Sequence, residues 1–134
     1  MNHSLLRLVV LILFFTRGSV LAQVPAPLSG IWKGDSLCTV PDSPCHNERV
    51  IYKFKSAAGK LHLDAFKIVS NHEEFMGTLD CTFHDAEQRL TCGFDSPKPN
   101  VWEFRLSGNE LTGTLVVGPE KTLYRKIHVT RQID

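Results

Sequence analysis

Eight short runs of β-type residues, separated by turn residues at near-regular spacing, occupy the chain from residue 30 onward. They are residues 30–38, 49–55, 61–69, 75–83, 89–94, 101–106, 111–117 and 123–130. Such a series is typical of a barrel or sandwich, and no convincing helix interrupts it. The short connections favour an antiparallel up-and-down meander, and closing the sheet removes its exposed edges. We therefore predict an all-β fold, a closed or nearly closed barrel of about eight strands.

The first 22 residues follow the pattern of a secretory signal peptide. They contain a basic start that ends at Arg7, an apolar core over residues 8–15 and the small-residue cleavage site Val20-Leu21-Ala22. The uncharged run between Arg7 and Arg17 is nine residues long, roughly half of the ~20 that a membrane-spanning helix needs. We therefore predict a signal peptide over residues 1–22, a single β-barrel domain over residues 23–134 and no membrane span after cleavage.

The charge balance of the predicted mature chain indicates no particular class of binding partner. Loss of Arg7 and Arg17 lowers the number of basic residues from 15 to 13, against 14 acidic residues. Nucleic-acid binding requires a strongly basic surface, which this balance does not provide. We predict no nucleic-acid partner, and the sequence predicts no oligomeric state.

Four cysteines, Cys38, Cys45, Cys81 and Cys92, follow the predicted signal peptide. In an exported chain an even number of cysteines indicates disulfides, and four cysteines allow three pairings. We favour Cys38–Cys45 and Cys81–Cys92, because each pair is close in sequence and encloses turn-like residues. Neither pair has the spacing of structural zinc ligands, so we predict no metal and no cofactor.

Matching the apolar faces of neighbouring runs predicts the register of three hairpins. The turns used are residues 56–59, a turn around Ala86 and the loop 107–110. The predicted pairs are Val50–Ala65, Tyr52–Leu63, Phe54–Leu61, Phe83–Leu90, Cys81–Cys92, Trp102–Leu115, Phe104–Gly113 and Leu106–Leu111. An aromatic ring that covers a strand glycine stabilises such a pair. Residues 65–68 fit the alternation poorly, and we expect a β-bulge there.

The opening of the first run, Ser29-Gly30-Ile31-Trp32-Lys33-Gly34, resembles the Gly-x-Trp opening of lipocalin-like and avidin-like barrels, the calycins. In those barrels the tryptophan plugs one end, and in lipocalins an arginine from the last strand packs over it. The resemblance implies that Trp32 plugs one end here and that Arg125 or Arg131 covers its ring. An eight-stranded barrel is just wide enough to be filled by side chains or to hold one small ligand.

Four segments, the first of which overlaps the opening just described, give the chain a second resemblance, to a group of uncharacterised secreted bacterial proteins. They are Gly30-Ile31-Trp32-Lys33-Gly34, Ser43-Pro44-Cys45-His46, Phe75-Met76-Gly77-Thr78-Leu79-Asp80-Cys81 and Leu123-Tyr124-Arg125-Lys126. This resemblance implies a bacterial periplasmic or extracellular location. It implies no activity.

Arg125 is a candidate binding residue because alternation turns it inward together with Leu123, Ile127 and Val129. A buried arginine without a partner is too costly to keep. Its partner would be either Trp32 with nearby carbonyls or an anionic ligand such as a carboxylate. A bulge between Lys121 and Arg125 would turn the arginine outward.

Aromatic residues in the inward positions can form either pocket walls or ordinary core. We predict Trp32, Tyr52, Trp102 and Arg125 as ligand-binding residues. The mature chain has five histidines but no pair at metal-ligand spacing, and it has no Gly-x-Ser-x-Gly turn. No catalytic residue is therefore predicted.

The segment between Cys38 and Cys45 holds Pro41 and Pro44, and a disulfide would make it a rigid loop at one mouth of the barrel. We predict a secreted, non-enzymatic binding module for a small apolar, amphipathic or anionic ligand. The alternative is a protein-binding module, such as a periplasmic hydrolase inhibitor resembling small disulfide-bonded lysozyme inhibitors. An enzyme and a structural envelope protein remain open. An open cavity of about 300 Å³ or more would favour the ligand carrier, and a filled barrel the protein binder.

Overall fold

The structure, a computed structural model, describes residues 23–94 and 99–133. Eight antiparallel strands form one closed barrel in sequence order, and β1 pairs with both β2 and β8. The strands are β1 (Ile31–Cys38), β2 (Glu48–Ala57), β3 (Lys60–Val69), β4 (His72–His84), β5 (Arg89–Gly93), β6 (Val101–Ser107), β7 (Glu110–Val117) and β8 (Thr122–Arg131). The predicted all-β meander is thereby confirmed. The predicted signal peptide lies outside the described residues.

The two ends of the barrel differ. At one end, which we call the closed end, lie the 3₁₀ helices Ala26–Leu28 and Asp85–Glu87 and the end of β8. At the other, the open end, lie the β1–β2, β3–β4 and β7–β8 connections. Neither 3₁₀ helix of the described residues is long or apolar enough to cross a membrane.

Trp32 plugs the closed end. Its ring is fully buried beside Leu28, and its Nε1 donates a hydrogen bond to the Leu28 carbonyl at 3.0 Å. The Arg131 guanidinium lies 4.4 Å from the centre of the Trp32 ring and donates to the carbonyls of Ser29 and Pro27. Of the two arginines considered, Arg131 therefore covers the tryptophan. Arg125 lies in the other half of the barrel, nearer the open end.

The β6–β7 and β4–β5 registers agree with the sequence prediction. Phe104 lies opposite Gly113, and a Cβ at Gly113 would come within 2.5 Å of the Phe104 ring. Cys81 lies opposite Cys92, and both predicted disulfides are present. The confirmed pairs are Trp102–Leu115, Phe104–Gly113, Leu106–Leu111, Cys81–Cys92 and Phe83–Leu90. Two disulfides are consistent with an oxidising, extracellular compartment.

The predicted β2–β3 register is wrong by two residues. Tyr52 lies opposite Ala65, whereas the sequence placed it opposite Leu63. The turn consists of Ala58 and Gly59 alone, with φ of 51° and 75°, as in the two-residue hairpin turns that match strand twist. Because the shift is an even number of residues, the same side chains still face inward.

Within the described residues, two bulges lie near the open end. Between β3 and β4 the register shifts after Ala65, which confirms the expected irregularity, and the extra residue is Met76. Between β7 and β8 Leu115 lies opposite Arg125 but Val116 lies opposite Leu123, so Tyr124 is the extra residue.

The bulge at Tyr124 does not turn Arg125 outward, contrary to the sequence reasoning. Arg125 keeps its alternation with Ile127 and Val129, which are buried on the inner face. The bulge instead turns Leu123, beyond it, to a 37% exposed position.

Candidate functional site

A cavity of about 180 Å³ occupies the half of the barrel nearest the open end. Its apolar walls are formed by Val50, Ala65, Met76, Leu79, Phe94, Trp102 and Leu115. Toward the closed end, the Tyr52 ring lines the cavity and packs edge-on against Phe104, with ring centres 5.9 Å apart. Phe104 belongs to the filled part of the barrel. The cavity is smaller than the ~300 Å³ that we expected of a ligand carrier, and the other half of the barrel is filled. Its volume is nevertheless comparable with the ~150 Å³ apolar cavity that binds benzene, so only a small ligand would fit.

The rim of the cavity is apolar and half exposed. The ring of Phe94 packs edge-on against Trp102, with ring centres 5.4 Å apart. It also lies over Gly77, where a Cβ would come within 3.3 Å of it. Gly77 has φ of 151° and follows the bulged Met76, so the irregularity in β4 makes room for the Phe94 ring. The rim thus consists of the Phe94 ring and the flexible Met76 side chain.

One side of the cavity is polar and centres on Arg125. Its Nη1 donates to the Ser36 carbonyl at 3.3 Å and to the His46 carbonyl at 3.0 Å. The same nitrogen lies 3.4 Å from the Ser36 hydroxyl and 3.6 Å from a carboxylate oxygen of Glu48. The Arg125 and Glu48 side chains are only 14% and 22% exposed. The buried cation therefore has a protein counter-charge, Glu48.

Tyr52 lies beside this pair. The residue is 4% exposed and lines the cavity. Burial raises the pKa of the Tyr52 phenol well above its usual value, the Arg125 guanidinium lowers it and the Glu48 carboxylate raises it. The phenol is therefore protonated near neutral pH and can donate a hydrogen bond into the cavity.

The structure brings three of the four predicted ligand-binding residues together. Arg125, Tyr52 and Trp102 all line the cavity. Trp32 does not, because it is fully buried in the core at the closed end. Sequence reasoning missed Glu48, although alternation from Val50 and Tyr52 would have turned it inward.

The disulfide loop, residues 39–47, lies at the open end beside the polar side of the cavity. The amide and hydroxyl of Thr39 donate to the carbonyls of Tyr124 and Leu123, at 3.0 and 2.9 Å. The Cys38 amide donates to the Asn47 side-chain oxygen at 2.9 Å. The loop is thereby fastened to the bulge in β8 as well as closed by its disulfide.

The outer wall carries ionic pairs that form no comparable site. Asp64 accepts a hydrogen bond from Thr78 at 2.6 Å and lies 3.0 Å from Lys55. Burial raises the pKa of the Asp64 carboxyl, but the hydrogen bonds from Thr78 and Lys55 outweigh it and hold the pKa below its ordinary value. Across residues 23–94 and 99–133, no group of three or more His, Cys, Asp or Glu side chains could hold a metal ion.

Comparison with known proteins adds no assignment to this site. A scan against protein-family models finds no match to the chain, and no curated protein matches it significantly. The chemistry of the cavity therefore rests on its own residues.

Proposed function

We propose that this protein is a secreted, non-enzymatic binding module that holds a small apolar or amphipathic ligand in the cavity at the open end of the barrel. The observation that carries the proposal is a cavity with apolar walls and one polar side. Ligand sites combine apolar walls with a few polar groups that fix orientation. The proposed location is the bacterial periplasm or the outside of the cell, in keeping with the disulfides.

The size of the cavity limits the ligand. A volume of about 180 Å³ accommodates a molecule of about one aromatic ring with a short substituent. A longer ligand would extend past Phe94 and Met76 into solvent. Such a ligand would bury its ring against Trp102 and Leu115 and place its polar group near Tyr52 and Arg125.

The polar groups support binding rather than covalent chemistry. The Ser36 hydroxyl lies beside the Arg125 guanidinium, which cannot act as a general base. Arg125 itself is held by two backbone carbonyls and Glu48. These contacts fix the position of a cation but do not activate a nucleophile.

Filling the cavity tests the proposal. Acetophenone should bind the mature chain with a Kd of about 1 mM or tighter, the range expected for a one-ring ligand. Ala65→Phe places a ring in the cavity and should weaken binding by about tenfold or more. Amide chemical-shift titration of the ¹⁵N-labelled protein measures both affinities.

Thr112→Phe is the matched control, because Thr112 is exposed on the outer face of β7 and should leave the affinity unchanged. The proposal is wrong if acetophenone causes no shift changes at cavity residues, or if it binds Ala65→Phe as well as the parent chain. Native mass spectrometry of protein purified from its source would show a retained ligand.

The open end also supports a second candidate function, the binding of a protein such as a periplasmic hydrolase. The rigid disulfide loop exposes Pro41, Asp42 and Pro44 there. Most of the exposed large apolar side chains of the described residues lie in the same half of the barrel: Leu37, Val69, Phe75, Met76, Phe94 and Leu123. Exposed apolar surface of this kind is typical of protein interaction sites.

Inhibition of a lysozyme tests this second candidate. If the loop is the inhibitory element, the parent chain should slow cell-wall lysis at equimolar concentration, and the double variant Cys38→Ala/Cys45→Ala should inhibit at least about tenfold less, because an unclosed loop loses more entropy on binding. Circular dichroism must show that the barrel of the double variant is intact. Absence of inhibition by the parent chain rules out a lysozyme as the partner.

A further inference from the structure

The polar side of the cavity is already balanced in charge. Arg125 and Glu48 lie 3.6 Å apart, and both side chains are mostly buried. A ligand carboxylate placed beside Arg125 would bring a second negative charge close to Glu48. Two carboxylates that share one cation in a poorly solvated site repel each other, and removing a carboxylate from water adds a further cost.

The cavity also has a neutral donor, the Tyr52 hydroxyl. Tyr52 is 4% exposed and lines the cavity. Within the described residues its hydroxyl is not one of the fully buried polar atoms without a partner, so it faces the open volume of the cavity. A ligand oxygen that reaches this hydroxyl would accept its hydrogen bond, which a ligand without an acceptor could not do.

We infer that the cavity selects uncharged ligands of about one ring that carry a single oxygen acceptor, such as a ketone, over carboxylates of the same shape. The inference rests on the proposed function, since it names the ligand class of that same cavity. The apolar walls receive the ring, the Tyr52 hydroxyl donates to the ligand oxygen, and Glu48 disfavours an anionic group.

Three probes of matched shape test the inference: acetophenone, α-methylstyrene and benzoate. They share one arrangement of non-hydrogen atoms. Acetophenone carries a neutral oxygen acceptor, α-methylstyrene carries no acceptor, and benzoate carries a negative charge. At neutral pH acetophenone should bind about three- to tenfold more tightly than α-methylstyrene, the effect of about one hydrogen bond. Benzoate should bind at least about tenfold more weakly than acetophenone.

Two variants assign these preferences to residues. Tyr52→Phe should lower the acetophenone affinity to that of α-methylstyrene. The affinity of the variant for α-methylstyrene should differ from that of the parent chain by less than about twofold. Glu48→Gln should tighten benzoate binding about tenfold and leave acetophenone nearly unchanged. The matched controls are Tyr124→Phe, which removes the other tyrosine hydroxyl of the chain, and Glu110→Gln, an exposed acid at the closed end.

The outcomes distinguish a failure of the proposed function from a failure of the inferred ligand selection. If none of the three probes binds, the proposed function fails and the inference fails with it. If the probes bind but benzoate equals acetophenone, or Glu48→Gln leaves benzoate unchanged, the cavity is a ligand site and the charge selection is wrong. If α-methylstyrene equals acetophenone in the parent chain, the Tyr52 hydroxyl does not recognise the ligand. Thermal unfolding of each variant confirms that the chain compared is folded.

Discussion

Replacing Gly34 with valine should prevent the barrel from closing. Gly34 lies in β1 between Val50 of β2 and Val129 of β8. A Cβ at this position would lie 2.0 Å from the His128 carbonyl oxygen and 2.8 Å from the Val129 Cα. Both are backbone atoms, so no side-chain rotation relieves the overlap, and the strands themselves would have to separate. We expect a loss of about 3 kcal/mol or more, the upper range for overpacking.

Urea unfolding followed by circular dichroism measures this loss. Asp35→Ala is the control, because Asp35 is the next residue of β1 but faces solvent, where its ion pair with Arg49 contributes little. It should change the free energy of unfolding by less than about 1 kcal/mol. A Gly34→Val chain with the urea midpoint of the parent would show that β1 and β8 do not approach as closely as described.

Replacing Trp32 with alanine should cost about 3–5 kcal/mol. The fully buried ring fills the closed end, so its removal leaves a cavity next to Leu28. It also removes the surface on which Arg131 stacks, and it leaves the Leu28 carbonyl without its donor. A buried carbonyl that loses its partner adds to the cost of the lost packing.

The conservative variant Trp32→Phe separates stability from binding. It keeps an aromatic ring under Arg131 but loses the indole hydrogen bond, so it should cost less than the alanine variant. Because Trp32 does not line the cavity, the affinity of Trp32→Phe for acetophenone should match that of the parent chain. Urea unfolding and the chemical-shift titration measure the two effects. A weakened affinity would place Trp32 in the ligand site.

The strands were predictable because period-two alternation and turn residues both mark them. The β6–β7 register followed from assigning residues 107–110 to the loop, which places Phe104 opposite Gly113. The β2–β3 register was not predictable from residue types alone. The turn was assigned to residues 56–59, one residue before its observed position at 57–60, where Ala58 takes a positive φ that its type does not favour.

The site was predictable in part. Alternation placed Arg125 and Tyr52 inward, and the bulge at Tyr124 altered the strand beyond Arg125 rather than Arg125 itself. Glu48 was missed because the predicted run began at residue 49, so that Glu48 was assigned to the preceding loop. The size of the cavity depends on how side chains from opposite strands meet, which no single run of sequence contains. Trp32 was predicted as a ligand-binding residue but lies in the core at the closed end, away from the cavity.

Arg125 joins segments that are far apart along the chain. Its hydrogen bond to Ser36 spans 89 residues, and its bond to His46 spans 79. Contacts of such separation form only after long loops have closed, which makes folding slow. The polar side of the cavity is therefore absent until the last strand has docked beside the first. Occupancy of the cavity would report that the whole barrel has been completed, and a chain that ends before β8 would lack the site.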